Sequence, residues 1–398
     1  MTGYDCVVVG GGPAGAIAAT DLAQAGRSVL LLDRAGRIKP CGGAIPPRLI
    51  RDFAIPDHLI VGRVRSARMI GPSDAAADMA VDAGGDGFVG MVDREHFDEW
   101  LRARAAAAGA VRVTGMFDRL ERDADGGSIV VYRDERGGRE HRIGARCVIG
   151  ADGARSKVAR GALVGAERMP CVFAYHEVIR SPAPVDAGES TFDRSRCDVF
   201  YQGALSPDFY AWVFPHGDTT SVGVGSADKG FALRAAVDRL RAREGLAGCE
   251  TLRREGAPIP LKPLRRWDNG RDVLVTGDAA GVVAPASGEG IYYAMVAGRE
   301  AATAVGAFLT SGNPRALRRA RRAFMRAHGR VFQVLGVMQH FWYRNDRRRE
   351  RFVAMCNDRD VQRLIWPAYM DKKLVYARPL AYLRIFLKDM RHLLQTAG

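Results

Sequence analysis

The sequence predicts a mixed α/β fold: a βαβ unit at the amino terminus, an antiparallel β-rich middle, and a basic helical carboxy-terminal region. Three observations carry this. An apolar run, a glycine turn and an Ala-rich helical pattern follow one another within the first 33 residues. Short strand-like runs then recur to about residue 224 and again at 273–275. Finally, residues 312–398 hold 20 Lys and Arg against 6 Asp and Glu, whereas the first 311 residues balance at 39 against 39.

With 398 residues, 47% apolar and 26% charged, the chain has room for two or three domains at roughly 150 residues each. Such a composition excludes disordered, collagenous and disulfide-scaffold classes. The apolar-rich stretch 331–343 is 13 residues long, short of the about 20 a spanning helix needs, so membrane contact is expected to be peripheral. Seven cysteines include no CxxC pair and eight histidines no HxxxH pair, so neither a disulfide framework nor a metal site is expected. Strand-like residues begin at Tyr4, leaving no room for a secretory leader and pointing to the cytoplasm.

Taken in order, Val7, Val8 and Val9 read as a strand buried on both faces. Gly10, Gly11 and Gly12 make the turn, Pro13 opens a helix where its missing N–H costs least, and Gly26 closes it. A second strand over 29–32 ends at Asp33. Strand, turn, helix and acidic terminus thus surround Gly10-x-Gly12-x-x-Gly15 as a Rossmann-type dinucleotide site requires. Backbone N–H groups at the helix start would face a pyrophosphate, and Asp33 would accept from ribose hydroxyls. Asp93 and Arg94 precede a helical pattern (Phe97, Leu101, Ala105, Ala108) that closes at Gly109. Strand-like segments follow over 111–131 and at 147–150, the latter leading into Ala151-Asp152-Gly153. A helix is expected near 233–243 and a strand at 273–275. Thr276-Gly277-Asp278-Ala279-Ala280 then runs on to Gly288-Glu289-Gly290-Ile291 and a further helix.

In order and spacing, the segments 10–15, 147–160 and 277–291 resemble the three flavin-binding motifs of the FAD-dependent hydroxylase and reductase superfamily typified by p-hydroxybenzoate hydroxylase. Within it, Lys39-Pro40-Cys41-Gly42-Gly43-Ala44-Ile45-Pro46 resembles the Cys-Gly motif of the geranylgeranyl reductases. Tyr210-Ala211-Trp212-Val213-Phe214-Pro215 with Val222-Gly223-Val224-Gly225 looks like their substrate signature. The resemblance implies a Rossmann-type FAD-binding domain of the p-hydroxybenzoate hydroxylase-like fold, discontinuous over 1–95, 145–165 and 265–311. An antiparallel β substrate domain over 166–264 and the basic helical region 312–398 complete the expected organisation. It further implies an oxidoreductase that takes electrons from NADPH and reduces a geranylgeranyl group to phytyl. The Ala-Ile-Pro ending of the Cys-Gly segment resembles the phototroph branch, which acts on chlorophyll or bacteriochlorophyll.

By the same resemblance Gly10, Gly12, Ala14 and Gly15 would hold the pyrophosphate and Asp33 the adenosine ribose. Cys41, Gly42 and Ala44 would lie beside the flavin, with Arg94 near the cofactor. Asp278 would meet the ribityl or pyrophosphate region, or else cap the helix that follows it. Gly290 and Ile291 would pass close to the isoalloxazine, and Asp152 is implicated more loosely. Two departures stand out: Gly281 occupies a position where hydroxylases often carry a histidine, and no second Gly-x-Gly-x-x-Gly module exists for NADPH.

An isolated trisubstituted alkene has no carbonyl to take up charge, so hydride arrival must be accompanied by protonation. Such a site calls for an apolar tunnel and aromatic faces that stabilise positive charge. Tyr210, Trp212 and Phe214 alternate and would share one face of a strand, with Gly223 and Gly225 leaving space opposite them; an ordinary aromatic hairpin is the other reading. Cys41, beside Lys39, would either donate the proton or simply pack.

In the tail, Leu380, Leu383, Leu387, Met390 and Leu394 step by three and four among Arg384, Lys388 and Arg391. This amphipathic basic helix would lie on an anionic membrane surface or cover its own domain. The expected partners are therefore geranylgeranylated bacteriochlorophyll or geranylgeranyl diphosphate and, through the tail, the cytoplasmic face of a photosynthetic membrane; no nucleic acid is expected. An FAD-dependent aromatic monooxygenase is the competing reading within the fold. A basic adaptor with a vestigial flavin site is the competing reading from another class.

Overall fold

The structure, a computed structural model, describes residues 3–34, 36, 38–81, 87–135, 138–183, 192–358, 361–362, 370 and 372. The chain divides into two compact units. One comprises the described parts of Met1–Gly43, Val92–Tyr175 and Glu255–Gly336, the other those of Ala44–Met91, His176–Arg254 and Val337–Gly398.

The first unit is built on a seven-stranded sheet. Its parallel portion runs Val111–Thr114, Val29–Asp33, Gly3–Val9, Glu140–Gly150 and Val273–Val275. Strand Glu140–Gly150 is long enough for two tasks: Cys147 to Gly150 pair with Cys6 to Val9, while Glu140 to Ala145 pair antiparallel with Ser128–Arg133. The apolar run at 147–150 is therefore only the buried end of an 11-residue strand. Its polar first half escapes a reading based on continuous hydrophobicity, because a strand solvated on one face need not be apolar.

Helix Pro13–Gln24 is buried along most of its length and starts at Gly12 without a side-chain cap. It packs on helix Ile291–Ser311 at backbone distance, since a Cβ added to Gly298 would stand 2.3 Å from the Ala14 carbonyl oxygen. Helix Arg94–Ala107 begins where expected, with Asp93 accepting from the Glu95 N–H at 2.9 Å as its cap.

A second sheet runs in the order Thr251–Pro260, Cys171–Arg180, Thr219–Ser226, Ala211–His216, Arg196–Phe200, Ser66–Ile70, Ala76–Ala80. Ser66–Ile70, from outside 166–264, joins this sheet parallel to Arg196–Phe200. That pairing also shifts the expected boundaries. Residues 44–91 supply two strands to this sheet and group with the second unit, not with the rest of 1–95. The basic carboxy-terminal region is likewise divided between the units, with the break at Gly336 inside helix Arg318–Trp342. Helices Leu233–Arg243 and Asp346–Cys356 complete the second unit's main helical elements among the described residues. The amphipathic tail at 380–394 lies outside the described residues.

The Gly298 contact generates the first prediction. Gly298→Val should lower stability by about 2 kcal/mol or more, because branched carbons would have to wedge apart a pair of backbones in contact. Urea unfolding checks it, and an unchanged midpoint would show that the two helices are not in backbone contact.

Candidate functional site

Four adjacent parallel strands end at one edge of the first sheet. Their carboxyl ends deliver Gly10 to Gly12, Asp33, Ala151 with Asp152, and Thr276 to Asp278 to that edge. Ligands of open α/β sheets bind there. Backbone bonds tie the turns together: Gly10 N–H donates to the Leu32 carbonyl at 2.8 Å, Ala151 N–H to Val9 at 2.7 Å and Thr276 N–H to Gly150 at 2.9 Å.

The glycines divide by what surrounds them. Gly10 has φ +105, and a Cβ there would meet the Ala151 oxygen at 2.3 Å; on Gly15 it would meet the Gly10 oxygen at 1.8 Å. Both are demanded by the chain itself. Gly12 is different, for a Cβ built on it meets no protein atom within 4 Å. Its φ of −73 suits any residue, so neither packing nor backbone geometry explains a glycine there. Close approach of a ligand to an uncapped helix start does. The Ala14 Cβ lies 2.6 Å from where a Gly277 Cβ would stand, so the absence of a side chain at Gly277 makes room for that methyl.

Asp33 faces the turn from the next strand. Burial pushes its carboxyl above the usual range, opposed by backbone N–H groups of Arg34 and Gly11 and by Arg102. Arg102, whose Nη1 is 3.3 Å from Asp33 Oδ2 and which also bonds Glu99, was not among the expected residues. It shares a helix with Arg94, and a cation recurring eight residues on between Leu101 and Ala105 is the signal that could have found it.

Asp278 sits 9% exposed in the turn Gly277–Ala280 and forms an ion pair with Lys39. Its Oδ1 lies 3.7 Å from where a Gly290 Cβ would project, so Gly290 and the buried Ile291 open the helix Ile291–Ser311 beside this carboxylate. Asp152, by contrast, is committed to structure. It accepts from the Ser156 hydroxyl and from the Lys157 and Val158 N–H groups at 2.7 and 3.2 Å, and so caps the start of helix Lys157–Ala162.

Arg94 is buried, at 5% exposure. Its Nε and Nη2 fork onto the two Asp98 oxygens at 2.9 and 2.7 Å, and the guanidinium also hydrogen-bonds the Cys41 sulfur. Burial disfavours its charge, but Asp98 and then Cys41 outweigh that, holding it protonated well above the ordinary arginine range. The Gly43 N–H reaches the same sulfur at 3.4 Å, with half-buried Gly42 between them. Ala44 departs from this group. It opens the short strand Ala44–Ile45 in the second unit and packs on the cluster of Val64, Ala67, Met91 and Cys197.

The aromatic signature lies in the second unit. Tyr210, just before strand Ala211–His216, meets Trp212 edge-on at 5.9 Å, and Trp212 meets Phe214 at 6.1 Å, so the three rings do form one row. The expected gap opposite is corrected at Gly223. That residue pairs with Trp212, and a Cβ on it would stand 2.2 Å from the indole Cζ2. The missing side chain seats the tryptophan. The indole Nε1–H donates to Ser221 Oγ at 3.0 Å, and Ser221 Oγ also bonds His176 Nδ1 at 3.0 Å. Gly225 donates its N–H to the Tyr210 carbonyl at 3.2 Å, closing the hairpin.

The first-unit residues fit an adenine dinucleotide carrying a flavin. Gly12 and the helix start would hold a pyrophosphate, Asp33 would meet ribose hydroxyls, and Asp278 with Gly290 would face the flavin half. Gly12→Val should abolish FAD binding, measured by flavin fluorescence, with circular dichroism and melting unchanged. Gly15→Ala should instead cost stability first. A Gly12→Val protein that keeps its FAD would move the cofactor elsewhere.

Comparison with known proteins agrees with this geometry. Residues 3–189 match the FAD binding domain family. The geranylgeranyl diphosphate reductase of Rhodobacter capsulatus is 56% identical over 98% of this chain and 97% of its own length. The chloroplastic geranylgeranyl diphosphate reductase of Oryza sativa is 36% identical over 98% of this chain and 86% of its own. Among solved structures, a geranylgeranyl bacteriochlorophyll reductase-like protein from Thermoplasma acidophilum superposes with a TM-score of 0.82 at 22% identity, over 96% of this chain and all of that one. Its likeness establishes the fold. With full-length identity well above what chance allows and an FAD-binding amino-terminal half, the chain belongs to the geranylgeranyl diphosphate reductase family.

Proposed function

We propose that this chain is an FAD-dependent reductase that hydrogenates the isolated double bonds of a geranylgeranyl group to give phytyl, with NADPH as electron donor. The observation that carries the reading is the grouping of the Gly12 turn, Asp33, the Lys39–Asp278 pair and the Cys41–Arg94 contact in one compact unit. The relatives' names supply the substrate group. Free diphosphate and pigment-bound prenyl chain share that group, and bacteriochlorophyll-bound geranylgeranyl is the substrate favoured by the Ala-Ile-Pro ending of the Cys-Gly segment.

Bound FAD, once reduced, supplies hydride. The chain's residues supply the rest. The helix start at Gly12 holds the pyrophosphate by backbone N–H groups, and its dipole favours the negative charge. Arg94, locked by Asp98, fixes the Cys41 sulfur against the Gly43 N–H. Cys41 Sγ–H is the proposed source of the proton that completes addition at the second alkene carbon. Tyr210, Trp212 and Phe214 of the second unit are proposed to bind the prenyl group.

No described helix is long and apolar enough to cross a membrane. A peripheral site on an anionic bilayer is proposed from the tail at 380–394 and from a described surface in the second unit. There Val337 and Phe341, one helical turn apart, are 68% and 40% exposed. Arg344, Arg347 and Arg348 follow within the next seven residues.

Incubation with NADPH and geranylgeranyl diphosphate or its pigment ester should give a product heavier by two hydrogens for each bond reduced. Incorporation of oxygen instead would establish the monooxygenase reading, and a folded preparation that takes up no flavin would leave only the adaptor. Cys41→Ser should slow reduction about 100-fold, as for loss of a positioned acid, with the flavin spectrum retained; an unchanged rate would exclude the thiol as donor. Protein bound to anionic liposomes should be released by salt, since headgroup attraction is screened beyond about 8 Å at physiological strength. Leu383→Ser with Leu387→Ser should weaken binding even at low salt. Equal partition of the full chain and a 380–398 deletion would remove the tail from that role.

A further inference from the structure

We propose that Lys39 is a cofactor-binding residue: its ammonium neutralises Asp278 and, in the loaded chain, turns its remaining donors to the anionic part of the cofactor. The inference rests on the reading of FAD as the resident cofactor.

Asp278 is a carboxylate only 9% exposed. A charge so buried is costly unless paired, and Lys39 is the cation that meets it. Lys39 itself is about one-third exposed and lies in residues 38–43, which form neither helix nor strand. Its long stem can move its head without disturbing an element. An ammonium has three donors, and the Asp278 bond uses one.

The neighbouring cations are less available. Arg94 is forked onto Asp98, Arg102 bonds Asp33 and Glu99, and Arg155 stacks over the Phe173 ring at 5.8 Å. Lys39 differs from them in combining a flexible stem and spare donors with a carboxylate partner on the flavin side of the site. A pyrophosphate carries two negative charges, while a helix start offers about half a positive one. A mobile ammonium held at the same strand-end edge supplies the missing charge.

The test is titration of the apoprotein with FAD at low and high salt, followed by flavin fluorescence. Lys39→Met should raise the Kd about tenfold, the loss of one charge-assisted hydrogen bond, and flatten its dependence on salt. Lys39→Arg, keeping the charge, should stay within about threefold of the parent. The opposite sign is the diagnostic one. If Lys39→Met binds FAD as tightly as the parent or more tightly while its apo form melts lower, Lys39 serves Asp278 alone and the cofactor displaces it; the proposal then falls. Acetylation mapped by mass spectrometry on the parent protein gives a second measurement that needs no variant. FAD should protect Lys39, and an unchanged acetylation rate at saturating FAD would overturn the assignment. A parent protein that binds no FAD at all would overturn the cofactor reading itself, a failure distinct from either result.

Discussion

The site depends on backbone contact between the first helix and what surrounds it. Gly15 lets that helix meet the end of its own strand at Gly10, and Gly10 in turn lies against the Ala151 carbonyl of the neighbouring strand. Gly298 lets the helix Ile291–Ser311 touch Ala14, and Gly277 clears the Ala14 methyl. Side chains at these positions would push the helix outward by the width of a methyl group, and its N-terminal N–H groups would no longer aim along the sheet edge. A dipole acts over the first turn only, so aim at this scale decides whether an anion is held. Close packing fixes the helix, and the helix start is thereby presented at Gly12, where the chain makes no steric demand of its own.

Charge at the same edge is arranged in matched pairs. Arg94 with Asp98, Arg102 with Asp33 and Lys39 with Asp278 each join a cation to an acid in a partly or wholly buried setting. Their geometries differ in a way that assigns different work. The Arg94–Asp98 pair is bidentate and almost fully buried, so breaking it would strand a charge and it behaves as a fixed support. The Arg102 and Lys39 contacts are single-pronged and more exposed, and both meet acids aimed at a ligand.

Much of this was legible in the sequence, and the limits are instructive. Gly10, Gly12, Gly15 and Asp33 could be placed because strand, turn and helix are local, and their period of hydrophobicity survives in one dimension. Arg94 and Asp98 are one helical turn apart, so their pairing was open to inference. What eluded the sequence was set by tertiary approach. Arg102 reaches Asp33 across 69 residues and Lys39 reaches Asp278 across 239, separations over which no periodicity speaks. The grouping of 44–91 with the second unit was hidden from the sequence for the same reason, since it hangs on the register of Ser66–Ile70 with a strand 130 residues on. Asp152 shows the converse: motif position suggested a ligand, and its contacts cap the start of the helix that follows.

The aromatic row carries the point furthest. A glycine opposite a tryptophan on a neighbouring strand looks, in sequence, like space left for a ligand. In the folded chain that space belongs to the indole, which lies over Gly223 and is tethered through Nε1 to Ser221, with His176 behind. A ring so held cannot swing to admit a bulky chain. If Trp212 meets a prenyl group, it does so as a fixed wall, and the dimensions of the space beside it are set by Tyr210 and Phe214. The hydrogen bond from Trp212 to Ser221 holds that wall in place.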